Sequence, residues 1–407
     1  MSKLSVAYLK FMQEFSEEGQ FLNSSEHADW LNCYQKNECS TLKQNLLIYR
    51  PHIIENLHKF IEKCALQKIS VKVRAGGTSL NTSFICFEGV ILLMGHFKKI
   101  LNYDPIYGRI VIEPGVTVTQ LNQFISEDKW EFPLEMQSNG VATLAGSLSS
   151  NSKDYLQTST LIYENILSVT IINGCGKIQN VPAELFCGTE GRLGIIIQLE
   201  IQLSHKKEHA KTYSIEESFE NIDSHWPFLK KYHSLKNIYW QNDKIVFEIE
   251  GERWRSRSTI DELNKIFNPK FLNEVSQSDF FQEQFNHLSC YISSALSKDE
   301  LMPAQKKLEK LSAEMNFVWQ IRIDCVNLHV QAVLAYSGNL KDFQIQLEKF
   351  KVEWLNYLKQ KKGKLMVLQG IGQLWHIFHS QALQKNEVNL IEKLQEFFDP
   401  HQIFRHA

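Results

Sequence analysis

Four short segments of this sequence carry residue types that could do chemistry, and all four are built around glycine. The first is Arg74-Ala75-Gly76-Gly77-Thr78-Ser79-Leu80, directly after the alternating stretch Val71-Lys72-Val73. Adjacent glycines at a strand end let backbone N–H groups curl into a concave nest that binds phosphate oxygens. They also let a ligand approach with no Cβ in the way, and Thr78 and Ser79 add hydroxyl donors. Taken alone, the segment reads more simply as a glycine turn between two strands. It is not the Rossmann fingerprint, because no helix begins inside it and the G-x-G-x-x-G spacing is missing. Three further segments change the balance. Glu113-Pro114-Gly115-Val116 sets a rigid turn at a strand end, Thr143-Leu144-Ala145-Gly146-Ser147 follows, and Gly188-Thr189-Glu190-Gly191-Arg192-Leu193-Gly194-Ile195-Ile196 comes last. Each could be an ordinary turn, but four in this order, each beside a strand, are not readily ascribed to chance.

The elements that must hold these segments can be read from periodicity. Tyr8, Phe11 and Phe15 recur at helical spacing, which suggests a helical lead-in over residues 1–40. After Tyr49-Arg50-Pro51, the positions Ile53, Ile54, Leu57, Phe60, Ile61 and Cys64 make one face of an amphipathic helix. Val90 to Met94, Ile110 to Glu113, Ile166 to Ile172 and Ile195 to Leu203 read as strands, and Thr119 to Ser126 as a helix after Pro114-Gly115. The charged stretch after Ser204 marks a domain boundary. Beyond it, helical segments such as Ala304 to Met315 alternate with strands such as Ala332 to Tyr336. The helix Leu390 to Phe398 is stopped by Asp399-Pro400. The expected class is α+β.

Bulk properties narrow the functional classes. A chain of 407 residues is long enough for two or three domains with their own cores. A formal net charge of -2 gives no field that would draw nucleic acid, and the lysine runs near Lys206 and Lys359 are short. The eight cysteines form no C-x-x-C pair and match neither a zinc site nor a disulfide framework. Buried free thiols in a reducing compartment account for them. With no apolar leader after Met1 and no apolar run long enough for a membrane span, the expectation is a cytoplasmic protein.

The four glycine segments together resemble the FAD-linked oxidases of the vanillyl-alcohol oxidase and para-cresol methylhydroxylase (PCMH) type. That family's R-G-G-G-T-S-L pyrophosphate loop is matched by Arg74 to Leu80, its P-G-V turn by Pro114 to Val116, its T-I-G-G segment by Thr143 to Gly146, and its G-S-E-G-T-L-G-I-I loop by Gly188 to Ile196. The resemblance covers residues 45–204. It implies a PCMH-type FAD-binding domain of two α/β subdomains over residues 41–204, an α+β substrate or cap domain over 205–355, and a C-terminal segment, 356–407, returning to the FAD domain. It also implies FAD as cofactor, held by Arg74, Ala75, Gly76, Gly77, Thr78, Ser79, Leu80, Pro114, Gly115, Val116, Thr143, Ala145, Gly146, Ser147, Glu190, Gly191, Gly194 and Ile195. Thr78 stands where some members carry a histidine bonded to the flavin, so the resemblance implies noncovalent FAD. The sequence departs from the family at Asn81-Thr82-Ser83, at Ser147 to Lys153 and at Ser159-Thr160, where glycines or a Tyr-Gly are usual.

Within this family the closing Phe398-Asp399-Pro400 and Ile403-Phe404 resemble the F-D-P-x-x-I-L-N-P ending of D-2-hydroxyacid dehydrogenases such as the glycolate oxidase and D-lactate dehydrogenase subunits. Their metal-holding H-x-G-D-G-N-L-H has its counterpart in Arg322 to His329, where only Asn327-Leu328-His329 survives at the end. Their S-G-E-H-G-I-G corresponds to Met366 to Gly372, with Leu368 and Gln369 in place of the metal-binding glutamate and the base. Leucine cannot ligate and a glutamine amide cannot take a proton at neutral pH, so no catalytic metal is expected. The resemblance then leaves Arg322 to pair a substrate carboxylate, His329 as base and Gln369 to orient the substrate. His329 as a packed core histidine is the competing reading, and His376 and His379 are rival bases. The function implied is an FAD-dependent oxidoreductase oxidising a small hydroxylated substrate, such as a 2-hydroxyacid, by hydride transfer to flavin. An electron-acceptor protein or a quinone would be its partner. The alternative is a non-catalytic flavin-binding subunit of an oxidase complex. An enolpyruvyl-UDP-sugar reductase on the same fold is weaker, because it gives no reason for the Arg322–His329 stretch or the Asp399-Pro400 ending.

Overall fold

The structure, a computed structural model, describes residues 6–22, 46–78, 89–134, 140–152, 162–229, 231–241, 243–267, 272–275, 289–326, 328–370 and 385–404. The chain divides into two units, one of Met1–His205 with Leu383–Ala407 and one of Lys206–Ala382.

Among the described residues the first unit holds two larger sheets and one small two-stranded sheet. Helix α1 (Val6–Glu14) leads to strand β1 (Gly19–Leu22), then β2 (Leu46–Pro51), helix α2 (Leu57–Gln67), β3 (Val71–Arg74) and β4 (Gly89–Leu93). Their order in the sheet is β1-β2-β4-β3, with β4 parallel to both β2 and β3 and β1 antiparallel to β2. The lead-in is therefore not purely helical. Phe21 packs its ring on Tyr49 at 4.6 Å and draws β1 into the sheet, a long-range contact that local periodicity cannot reveal. Tyr49 in turn stacks on Phe60 of α2 at 4.4 Å, beside Phe11 and Phe15 of α1. This aromatic cluster is the heart of the first core.

The second sheet contains β5 (Ile100–Asp104), β6 (Arg109–Ile112), β8 (Ile166–Ile172), β9 (Ile178–Pro182) and β10 (Ile195–Gln202), in the antiparallel order β5-β6-β10-β8-β9. Between these strands lie helices α3 (Val118–Phe124) and α4 (Leu144–Ser149). Two-residue strands β7 (Trp130–Glu131) and β11 (Ser204–His205) pair with each other. Thr117 opens α3 with a reciprocal capping box to Gln120, which satisfies two of the donors that a helix start leaves unpaired.

The second unit is one eight-stranded sheet with helices. It comprises β12 (His209–Glu216), α5 (Phe219–Leu229), β13 (Leu235–Gln241), β14 (Lys244–Gly251), α6 (Arg253–Ile266), β15 (Asn273–Val275), β16 (Ser289–Ala295), α7 (Leu301–Glu314), β17 (Val318–Asp324), β18 (His329–Ala335), α8 (Leu340–Gln360) and β19 (Lys364–Gly370). The order is β15-β12-β14-β13-β17-β18-β16-β19, with all recorded pairs antiparallel. Alternation along the strands sorts the side chains into two faces. Ile238, Phe247, Ile292, Ile323 and Ala332 join α5–α8 in one apolar core. The opposite face carries buried polar residues, among them Asn237, Glu248, Ser293, Arg322, Asp324 and Gln331.

Helix α9 (Lys385–Phe398) returns the chain to the first unit. The return therefore comes at Leu383 rather than at residue 356, because β19 is held in the second sheet by its pairing with β16. Asp399 then receives the N–H groups of Ile403 and Phe404 at 3.0 and 2.8 Å, folding the last described residues into a tight turn. Phe398 enters the core of the second sheet, while Ile403 and Phe404 enter the core of the first. Among the described residues Cys64, Cys290 and Cys325 are buried free thiols. No helix among them is long and apolar enough to cross a membrane.

Candidate functional site: a glycine-walled cleft

All four glycine segments meet around one cleft in the first unit, enclosing about 860 Å³ with its open mouth. Main-chain contacts lock the segments together. A Cβ on Gly76 would lie 2.2 Å from the carbonyl oxygen of Val141, so the first loop and the approach to α4 touch backbone to backbone. Leu144 donates its N–H to the Val116 carbonyl at 2.9 Å, which ties the third segment to the second. Gly188 and Glu190 donate to the carbonyls of Leu148 and Ser149 at 3.0 and 2.7 Å, which ties the fourth loop to the end of α4. Gly77 has φ +66, a conformation that side chains resist. The guanidinium of Arg74 fills the space beside it.

Most of the expected cofactor residues line this cleft: Arg74, Ala75, Gly76, Gly77 and Thr78 from the first loop, Pro114 from the second, Thr143, Ala145, Gly146 and Ser147 from the third, and Glu190, Gly191 and Gly194 from the fourth. Three others sit elsewhere. Val116 and Ile195 are core residues, 1% and 0% exposed, because each points into a sheet's apolar interior. Gly115 spends its N–H on the Phe97 carbonyl at 2.6 Å. Ser79, Leu80, Asn81 to Ser83, Lys153, Ser159, Thr160, Asn327, Gly372, His376 and His379 lie outside the described residues.

The cleft also contains residues outside the expected cofactor set. Val73, Met94 and Ile196 give it an apolar wall, and Ser149, Ser150 and Ser152 add hydroxyls. These serines occupy the stretch where the family's glycines are missing, so that stretch lines the cleft despite the change. Ser150 is committed internally, bonding the Gly146 carbonyl at 2.9 Å. Their signal was positional: the turn of chain after α4 must follow the same wall.

The lining suits a dinucleotide. Exposed glycine main chain and hydroxyls can meet phosphate and ribityl oxygens, and the apolar wall can meet a planar ring. One ionised pair stands at the rim, Glu190 with Arg192, at 3.7 Å. Behind it, burial pulls the Lys72 ammonium down to about 8, against the upward pull of Glu190 and with a further lowering by Arg192.

In the second unit, β17 and β18 put Arg322 opposite Gln331 and Asp324 opposite His329. Arg322 is 6% exposed; its Nε donates to Gln331 Oε1 and its guanidinium lies over the Tyr239 ring at 4.9 Å. His329 is half-buried, with Nδ1 3.0 Å from Ser293 Oγ. His329 and Gln331 are two residues apart on one strand, so Arg322 and His329 share the polar face. Gln369 is on β19 at the register position of Tyr291. No group of three or more His, Cys, Asp or Glu that could hold a metal ion occurs among the described residues.

Comparison with known proteins agrees with this geometry. Residues 46–182 match the family described as FAD binding domain. The chain is 24% identical to a D-2-hydroxyglutarate–pyruvate transhydrogenase of Saccharomyces cerevisiae over 49% of its own length and 43% of that protein's. It is 19% identical to a probable mitochondrial D-2-hydroxyglutarate dehydrogenase of Oryza sativa, over 93% of this chain and 76% of that one. It is 23% identical to a glycolate oxidase subunit of Escherichia coli, over 44% and 38%. The chain thus spans less than half of the yeast and bacterial relatives it matches. Among solved structures, p-cresol methylhydroxylase with substrate bound superposes with a TM-score of 0.73 at 13% identity, over 98% of this chain and 96% of that one. The 4-ethylphenol oxidase of Gulosibacter chungangensis gives 0.72 at 11%, with the same coverage. Residues 46–182 carry an FAD-binding domain. The whole chain has the fold of the p-cresol methylhydroxylase group, and FAD is its cofactor.

Proposed function

We propose that the protein is an FAD-dependent oxidoreductase that oxidises a small 2-hydroxyacid at its CH–OH group. The observation that carries this reading is the placement, on adjacent strands of one polar sheet face, of a buried arginine and a half-buried histidine. FAD when bound accepts the hydride. Arg322, with its plane set by Gln331 and Tyr239, pairs the substrate carboxylate through its N–H fork. The Ser293 hydroxyl engages Nδ1 of His329. With Nδ1 donating, Nε2 is left to take the proton of the substrate hydroxyl. Gln369 helps to orient the substrate.

Several parts of the same reading extend it. FAD is held without a covalent bond, since Thr78 offers no imidazole in the glycine loop. Electrons leave to a partner protein or a quinone, and the enzyme works in the cytoplasm, although some relatives are named as mitochondrial. The activities in the relatives' names favour an enzyme over the non-catalytic subunit.

The test is anaerobic titration of the FAD-loaded protein with D-2-hydroxyglutarate, D-lactate and glycolate, followed by flavin absorbance. One of them should bleach the flavin, and Arg322→Ala and His329→Ala should each slow bleaching by about 10²-fold or more. Bleaching at the wild-type rate in both variants removes the assigned roles. A flavin that none of the acids bleaches removes the function.

A further inference from the structure

The glycine cleft contains a physical contradiction that a neighbouring cluster resolves. A diphosphate carries two negative charges, yet one wall of its cleft is formed by Glu190, whose side chain is only 9% exposed. Two like charges near each other in a medium less polar than water repel by kilocalories rather than tenths. The main chain that carries Glu190 is fixed at this wall. Its backbone sits at φ +53, and its N–H is tied to the Ser149 carbonyl.

One cation pairs with this carboxylate, and two more stand on the strand that leads into the cleft. Arg192, two residues on, approaches it to 3.7 Å with its side chain 24% exposed. Arg74 lines the same cleft. Lys72 stands two residues before Arg74 on β3, hence on the same strand face, and is 3% exposed. A buried ammonium is expensive to keep charged unless an opposite charge compensates it. Glu190 is the group that raises the Lys72 pKa, while burial and Arg192 lower it. Among these four side chains, three positive charges meet one negative charge. The surplus of two matches the charge of a diphosphate.

We propose that Lys72 and Arg192 are positioning residues for FAD: they neutralise Glu190, so that the wall it forms presents no net negative charge to the cofactor's diphosphate. Lys72 touches no substrate in this reading. It acts through Glu190 and is not part of the reaction. The inference rests on the FAD assignment and is independent of the hydroxyacid reading.

The experiment is a fluorescence titration of the full-length apoprotein with FAD, for wild type, Lys72→Met, Arg192→Met and each of these combined with Glu190→Gln. The apoprotein melting temperature is recorded for every variant. Each single methionine variant should raise the FAD dissociation constant tenfold or more. Adding Glu190→Gln should return it to within about threefold of wild type, since the surplus of two positive charges among the four positions is then restored. A purely structural role for Lys72 or Arg192 gives no such rescue. If one methionine variant fails to fold, its folded Glu190→Gln partner and the other pair carry the test. Wild-type affinity in Lys72→Met and Arg192→Met, or double variants no tighter than the singles, overturns the proposal. Failure of the wild type to take up FAD overturns the cofactor assignment itself, a result distinguishable from either.

Discussion

Gly76→Ala is the sharpest probe of how the cleft is built. A Cβ at this position would lie 2.2 Å from the Val141 carbonyl oxygen and 3.3 Å from the Thr143 N–H nitrogen. Both are main-chain atoms, so no side-chain rotation can relieve the collision, and the loop must part from the segment entering α4. Overpacking of this kind costs roughly 1–3 kcal/mol. If the cofactor has to be held across the parted loops, the same energy weakens its binding by about 5- to 150-fold, given that each 1.4 kcal/mol is tenfold. Two other glycines calibrate the measurement. Gly191 meets no protein atom within 4 Å but has φ +77, so an alanine there costs the apoprotein only the conformational penalty, about 1 kcal/mol, and any further loss of affinity reports a Cβ standing in the cleft. Gly140 has nothing within 4 Å and an unrestricted φ, so Gly140→Ala should change neither melting temperature nor affinity. The assay is FAD titration with thermal unfolding of the apoprotein for all three. The expected order of damage is Gly76, then Gly191, then Gly140. A Gly76→Ala protein that binds FAD like Gly140→Ala would refute the claim that the two loops touch.

Two further outcomes concern the returning C-terminal segment. Burial lifts the Asp399 carboxyl from about 3.8 to about 6, against the lowering effect of the Phe404 and Ile403 N–H groups. With the folded value above the unfolded one, this residue's stabilising contribution is complete below about 3.8 and is lost as pH rises through about 6, an effect of up to about 3 kcal/mol. Between pH 6 and 4 the wild type should therefore gain stability relative to Asp399→Asn, and parallel melting curves for the two would contradict the assignment. Phe404 is fully buried in the first core, and the Ile403 carbonyl beside it accepts the N–H of Val71 at 2.7 Å, at the start of the strand that carries Lys72 and Arg74. Phe404→Ala should cost about 3–5 kcal/mol and lower FAD affinity as well, measured by chemical denaturation and titration; an unchanged midpoint would count against the tail being part of that core.

How much of this was legible from sequence depended on which atoms do the recognising. The cleft presents much glycine main chain, and main chain can come close to a ligand only where Cβ is absent, so a site of this kind leaves glycines in the sequence. Gly76, Gly77, Gly146, Gly191 and Gly194 could be read for that reason. Gly115 shows the limit of the rule: the same residue type also serves two backbones packing together, here with Phe97. Ser149 and Ser152 looked like a loss of the site because the family's glycines were missing, yet they line it. Lys72 gave one faint signal, a lysine in the middle of a strand with alternating apolar neighbours. Its partner Glu190 is far away in sequence, so the charge cluster emerges only on folding.

The second unit is harder to read for the converse reason. Its polar face is organised by side chains set across strands: Arg322 with Gln331, His329 with Ser293, Asn237 with Glu248. Strand alternation predicts that every second residue shares a face, but not which strands lie side by side. The order β13-β17-β18-β16 brings residues about 90 positions apart into one row. A metal-binding motif that has lost its first histidine therefore reads as decay in one dimension. On the folded sheet the arginine in that place is buried, planar against an aromatic ring and held by a glutamine. Burying a guanidinium is costly unless it is satisfied. A substrate carboxylate is the further partner that the proposed function assigns to it, beside a half-buried histidine on the same sheet face.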